Sequence, residues 1–287
     1  MKTLNTLDMK YDYLIEKILD AKFVDEPFPH IYIEEFLSVE DLDLLTTCDT
    51  IKFKEFENTE ELISTLKKSY TIQEFPGCKT SVKEYLDWFY NRTDFNINNR
   101  EIVEGFGMVW KLNDEKSKEI HQLKKFLNSD KFKQALHQKF EINVQTRIYT
   151  VIQKYLTGYE ISPHPDIRQK MLTYLININT EEIAEKMDIH THLLKFKPDY
   201  QHIQKIWKEH TNLKRFWVPW DWCETKRIIN KNNSLVMFKP GNDTLHAVKL
   251  DYDHLKLQRT QIYGNLYKTE YSGITMANHS NYKEKIT

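Results

Sequence analysis

Hydrophobic and polar positions change rhythm near residue 142. Before it, apolar residues recur at three- and four-residue spacing. YDYLIEKILDAKF, at 11–23, reads as an amphipathic helix. Ser38 precedes VEDLDLLTTC with Asp41 three positions on, which predicts an N-capped helix. SVKEYLDWFYNR at 81–92 and the segments 115–128 and 130–140 read the same way. One strand, HIYIEEFL at 30–37, interrupts them.

After residue 142 the chain is β-branched, aromatic and punctuated by turns. INVQTRIYTVIQKY, KMLTYLININ, THLLKFK, KRIIN, SLVMFKP, TLHAVKL and QRTQIYGNLY follow one another. Short turns such as NKNN, KPGND and DYDH separate several of them. With the segment carrying His164, about eight strands are expected, and one helix, DYQHIQKIWKEH, stands among them. Many short strands without alternating helices predict an antiparallel sandwich or jelly roll. The expected fold class is therefore α+β with a mainly β core. Residues 1–141 form a helical N-terminal extension bracing the β unit of residues 142–287, the two making one structural body.

Composition narrows the partners. The 41 basic and 42 acidic residues give a net charge of −1, so nothing suggests a general nucleic-acid or membrane-surface binder. No apolar run approaches the roughly 18 residues of a membrane span. The first twenty residues carry acidic groups and no continuous apolar stretch, so no signal peptide is expected. Three scattered cysteines, Cys48, Cys78 and Cys223, make no disulfide framework, and a reducing, cytoplasmic setting is expected.

The chemistry gathers around YLTGYEISPHPDIRQKMLTYLINI, at 155–178. His164 and Asp166 are two apart, so in an extended chain both side chains reach one face, with Cα atoms roughly 7 Å apart. Pro163 and Pro165 remove backbone donors and place the stretch on a sheet edge or rim. A bare HxD is a weak signal in a chain with 11 histidines. Its company strengthens it. FKPGNDTLHAVKL puts His246 at the head of a strand just past a Pro-Gly turn. Further on, Arg259, Gln261 and Tyr263 alternate onto one face of QRTQIYGNL. An inward Arg is an expensive buried charge unless it meets an anion, and a guanidinium fork fits a carboxylate. Two histidines and one carboxylate with open positions is the donor set of non-haem iron(II) oxygenases.

On these residues the chain resembles the Fe(II)/2-oxoglutarate-dependent oxygenases, in particular their prolyl-4-hydroxylase-like branch. The resemblance runs from Asn143 to Tyr267, and more faintly through EPFPHIYIEEFLSVEDLDLL. It implies a double-stranded β-helix, iron(II) held by His164, Asp166 and His246, and 2-oxoglutarate as cosubstrate with dioxygen. Arg259 then matches the residue that holds the distal carboxylate of 2-oxoglutarate. Tyr155 and Tyr174 match tyrosines that assist it. The implied reaction is hydroxylation of a protein side chain or a small molecule, with release of succinate and CO2. The sequence also departs from the family. The His246–Arg259 loop is long, which leaves His254 and Lys256 as other anchors. An insertion lies between Asp166 and His246, and a common Gly-Gly-Glu phrase is missing. Asp166 itself disfavours the halogenating subgroup.

Two other readings stand beside this one. A cupin-like zinc or manganese enzyme would use the same three ligands without needing Arg259. A non-catalytic binding module on the same scaffold would need neither metal nor Arg259. Outside the triad, WVPWDWCE at 217–224 reads as loop packing or as a substrate wall made by Trp220, Asp221 and Trp222. His190 and His192 read as a substrate contact or an exposed strand pair.

Overall fold

The computed structural model describes residues 10–52, 54–73, 81–92, 99–113 and 117–270. Cys78 and residues 271–287 of the expected β unit lie outside them. The helices are α1 (Asp12–Asp20), α2 (Val39–Thr46), α3 (Thr59–Leu66), α4 (Val82–Asn91), α5 (Lys118–Leu127), α6 (Asp130–Lys139) and α7 (Ile203–Glu209). The strands of the N-terminal half are β1 (Phe23–Val24), β2 (His30–Ile33), β3 (Tyr70–Ile72) and β4 (Val109–Leu112). Then follow β5 (Thr146–Tyr155), β6 (Glu160–His164), β7 (Lys170–Asn177), β8 (Thr191–Phe196), β9 (Cys223–Ile229), β10 (Ser234–Phe238), β11 (Leu245–Lys249) and β12 (Arg259–Lys268).

Local chemistry sets the helix starts. The Ser38 hydroxyl accepts from the Asp41 amide at 3.1 Å, and Asn58, Ser81, Ser117 and Ser129 cap α3, α4, α5 and α6 in the same way. The strand expected over 30–37 ends at Ile33, because the chain turns through Glu35 with a φ of +50°. The region around DYQHIQKIWKEH forms a short 3-10 turn, Pro198–Tyr200, before α7 begins.

All neighbouring strands pair antiparallel. The large sheet runs β1-β2-β10-β7-β12-β5-β4-β3, and the small one runs β6-β11-β8-β9. The eight strands from β5 onward distribute between two facing sheets: β5, β7, β10 and β12 in one, β6, β8, β9 and β11 in the other. This is the jelly roll, a two-sheet sandwich rather than a closed barrel. The N-terminal half does more than cover it. Four of its strands extend the large sheet at both ends, where the helical rhythm had predicted one strand. β1, β3 and β4 run two to four residues each, too short to show a period of two.

Strand alternation divides the large sheet into two faces. Ile152, Tyr174, Ile176, Leu235, Met237, Ile262 and Leu266 point outward into one core with Leu14, Ile18, Leu62, Ile120, Leu123, Phe132 and Leu136 of the helices. Gly264 of β12 leaves room there for the Tyr174 ring: a Cβ on it would lie 1.9 Å from a ring carbon. The opposite face of β5, β7 and β12 looks into the sandwich and builds the site.

Candidate metal centre

His164 and His246 are directly paired across β6 and β11, yet the pairing beyond them slips, with Val248 opposite Ile161. One extra residue on β6 makes this a β-bulge. It switches His164 out of the outward phase of Glu160 and Ser162 and turns it into the sandwich. The two rings then lie 4.3 Å apart, centroid to centroid. Asp166 follows just past the strand, with its Oδ1 3.9 Å from His246 Nε2. One donor atom from each of His164, Asp166 and His246 lies within 4.8 Å of the other two.

The donors are held in ligating form. His164 Nδ1 faces the Ser162 carbonyl at 2.8 Å, and His246 Nδ1 faces the Thr244 carbonyl at 3.2 Å. A carbonyl can only accept, so each Nδ1 carries the proton and each Nε2 keeps its lone pair for an ion. Burial, helped by His246, pulls the His164 imidazole down to about 3, and burial also lowers His246. Both rings are therefore neutral at pH 7. For Asp166, burial acts upward, but neighbouring positive charge, that of Lys170 first, holds the carboxyl below its ordinary range. Lys170 and the Thr173 hydroxyl each donate to one Asp166 oxygen.

The triad opens into a cavity of about 640 Å3 between the sheets, within the range of small-molecule sites. Arg259 lines the same cavity, 3 % exposed, beside Tyr155, Gln153, Gln261 and Thr191. Its guanidinium carbon lies 4.4 Å from the Tyr155 ring centroid, and Nη2 donates to Thr191 Oγ1 at 3.2 Å. Its Nε has no hydrogen-bond partner, and no carboxylate pairs with the group among the described residues. Burial draws its pKa down from the ordinary value, but a guanidinium keeps its proton. A buried, uncompensated cation in a cavity is a costly arrangement that an anionic ligand would relieve.

The remaining expected residues divide. Tyr155 lines the cavity, but its hydroxyl donates to Gln153 at 2.6 Å, and burial pushes it up to about 12. Tyr174 does not join the site. It neighbours Thr173 and Leu175, which line the cavity, so alternation sends it to the helix side. There its hydroxyl bonds Thr150 Oγ1 at 2.6 Å. Trp220, Asp221 and Trp222 are likewise not cavity walls. They lie over the outer face of the small sheet, where Trp220 donates to buried Glu160 at 2.9 Å and Trp222 stacks on Tyr200 at 5.1 Å. The member of that segment that does reach the cavity is Trp217. His254 bridges Thr59 and the Thr157 amide, while Lys256 is exposed and pairs with Asp253, so neither reaches the site. His190 is buried beside Ala184, and His192 meets Thr225 on the outer face.

Reading of the sequence missed Lys170, Thr173, Thr191 and Trp217. Lys170 and Thr173 follow Asp166 by four and seven residues, and only the return of β7 beside β6's exit brings them back to its carboxylate.

Fold and site thus define a jelly roll with a buried His-Asp-His cluster whose donor atoms could hold a metal ion. Several solved structures are similar to the chain, among them prolyl hydroxylases and an oxidoreductase of the 2OG-Fe(II) oxygenase family from Burkholderia pseudomallei, which shares 9% identity at a TM-score of 0.33, over 75% of this chain and 93% of its own. A prolyl-4-hydroxylase from Pseudomonas putida shares 9% identity at a TM-score of 0.44, over 91% of this chain and 100% of its own. A prolyl hydroxylase from Trichoplax adhaerens, solved with a hypoxia inducible factor peptide fragment, shares 10% at 0.41, over 93% and 94%. HygX from Streptomyces hygroscopicus, with nickel and 2-oxoglutarate bound, shares 8% at 0.41, over 86% and 85%. No family model matches the chain, and no curated protein matches it in sequence. With likenesses this distant, the fold rests on the strand order and the chemistry on the residues of the site. Among the described residues no helix is long and apolar enough to cross a membrane.

Proposed function

We propose that the protein is an iron(II)- and 2-oxoglutarate-dependent oxygenase that hydroxylates its substrate, releasing succinate and CO2. The observation that carries this reading is the sharing of one cavity by two features. One is a two-histidine, one-carboxylate donor set; the other is a buried arginine with no acid partner among the described residues. The first suits iron(II) with coordination positions left open, and the second suits the distal carboxylate of a dicarboxylate cosubstrate. Iron with 2-oxoglutarate and dioxygen supplies the oxidising power for removing a substrate hydrogen and returning a hydroxyl.

The chain's own residues have defined parts. His164, Asp166 and His246 would hold the ion. Thr173 and Lys170 fix the Asp166 carboxylate so that it meets the ion in one orientation. Arg259 receives the cosubstrate carboxylate, and the Tyr155 ring behind it keeps the guanidinium aimed and dry. Tyr159, Tyr263 and Trp217 wall the space where substrate would meet the ion and limit entry of water. A zinc or manganese enzyme of the cupin kind would leave the buried charge of Arg259 without a purpose.

The test is an anaerobic titration of metal-free protein with Fe(II) and then 2-oxoglutarate, following the weak visible metal-to-ligand charge-transfer band. A band that needs both additions is expected. Its absence, with tight Zn(II) or Mn(II) binding and no response to 2-oxoglutarate, would sink the oxygenase reading.

A further inference from the structure

The charges that line the cavity do not balance once the proposed site is filled. Its basic groups are Arg147, Lys170, Arg215 and Arg259, and its acids are Glu104 and Asp166. Arg215 is already paired with Glu104. A divalent ion, the Asp166 carboxylate, the two carboxylates of 2-oxoglutarate and Arg259 sum to zero. Lys170 and Arg147 are then left over. Lys170 leans on Asp166 and reaches Tyr263 Oη at 2.7 Å, and its side chain is 10 % exposed. When an ion takes the Asp166 oxygen, that ammonium loses part of the counter-charge Asp166 gives it. Arg147 is exposed and has no carboxylate partner among the described residues.

The two cations share one rung of the sheet. Tyr267 of β12 is paired with Arg147 of β5 on one side and with Lys170 of β7 on the other. The Arg147 guanidinium lies 5.6 Å from the Tyr267 ring centroid, and Lys170 Nζ lies 5.3 Å from that of Tyr263. Arg259 opens β12 at its other end, next to Tyr155, eight residues away along the strand. The cavity thus has two separate cationic ends, with the metal ligands beside the Lys170 end.

We propose that Arg147 and Lys170, with Tyr263 and Tyr267, form a subsite for an anionic group, carboxylate or phosphate, on a small-molecule substrate. This rests on the oxygenase reading above, and it assigns the substrate class. Two cations on the strands that flank Tyr267, each over an aromatic face, attract an anion more strongly than either alone. A neutral substrate would gain nothing from either charge.

The test uses the full-length protein loaded with Mn(II), whose paramagnetism relaxes nearby nuclei. 2-Oxoglutarate binding is measured first; if it fails, the oxygenase reading has failed, and this proposal falls with it before any anion is added. With 2-oxoglutarate saturating, inorganic phosphate and 13C-labelled acetate are then titrated in turn, following 31P and 13C relaxation. Saturable relaxation by at least one of them is expected, at a distance too long for direct coordination, and the stronger binder distinguishes phosphate from carboxylate. Arg147→Ala and Arg147→Glu should weaken that anion at least tenfold while 2-oxoglutarate affinity stays within twofold. Lys170→Met should weaken it too, judged alongside its own Mn(II) affinity because Lys170 touches Asp166. No saturable relaxation, or equal anion affinity in wild type and both Arg147 variants, would overturn the subsite while leaving the oxygenase reading intact.

Discussion

His246 stands directly opposite His164 across two neighbouring strands, their rings 4.3 Å apart, because β6 carries one residue more than β11 beyond the pair. Two neutral imidazoles this close, each with Nδ1 tied to the carbonyl two residues before it, present two lone pairs to one point. Replacing either histidine or Asp166 by Ala should weaken Fe(II) or Co(II) binding at least a hundredfold and abolish turnover, with the circular dichroism spectrum retained. Metal titration of the three variants checks this, and wild-type-like affinity in any one of them removes that residue from the ligand set.

Arg259→Ala should raise the 2-oxoglutarate requirement at least a hundredfold and leave the Fe(II) affinity nearly unchanged. Arg259→Lys should restore part of it, since a point charge replaces a fork. The split between the two ligands is the informative reading, because a merely structural arginine would move both through loss of fold.

Tyr174→Phe should leave 2-oxoglutarate affinity alone and cost about 1 kcal/mol of stability through the lost bond to Thr150. Gly264→Ala should cost more, at least about 2 kcal/mol, since the new methyl collides with the Tyr174 ring. Denaturant melts of the two variants report both numbers, and a large 2-oxoglutarate effect in Tyr174→Phe would return that tyrosine to the site.

Trp217→Ala and Trp222→Ala should behave oppositely. Trp222 packs outside the small sheet against Tyr200, so its loss should cost about 2 kcal/mol of stability and leave substrate use intact. Trp217 lines the cavity, so its loss should change substrate use while 2-oxoglutarate decay without substrate continues. Measuring melting and uncoupled decay side by side separates the pair.

Lys154 supplies a pH signature. It is fully buried beneath the N-terminal half, donating to the Ile51 carbonyl at 3.0 Å and Thr260 Oγ1 at 2.9 Å, and burial brings it down to about 7. Below pH 7 both folded and unfolded chains hold the proton, so the burial cost is fully present and constant. Between about 7 and the ordinary lysine value near 10.5, the unfolded chain alone holds it, so stability rises with pH. The wild type should therefore gain up to a few kcal/mol over that window relative to Lys154→Met, measured by urea melts at pH 7 and pH 9.5. Parallel pH profiles for the two proteins would show that the group titrates as an ordinary lysine.

Sequence alone carried the jelly roll, the His164, Asp166 and His246 cluster and the inward Arg259. Each depends on a local rule: a period of two in strands, turn residues between them, an i, i+2 pair, and the cost of an inward charge. The capped helices came through for the same reason, since the Ser38 cap lies three residues from its partner. Contacts between distant segments escaped. The bulge that aims His164 comes from how two strands align, and neither strand encodes it separately. Lys170 and Thr173 support Asp166 only because β7 returns beside it. Tyr174 fell on the wrong side because a resemblance gives a position without its phase, whereas the pleat places it opposite Thr173. Trp217 rather than Trp222 reached the cavity because an irregular loop has no period from which direction can be read. The rung that brings Arg147 and Lys170 to either side of Tyr267 joins residues that are far apart along the chain, and only strand pairing makes them neighbours.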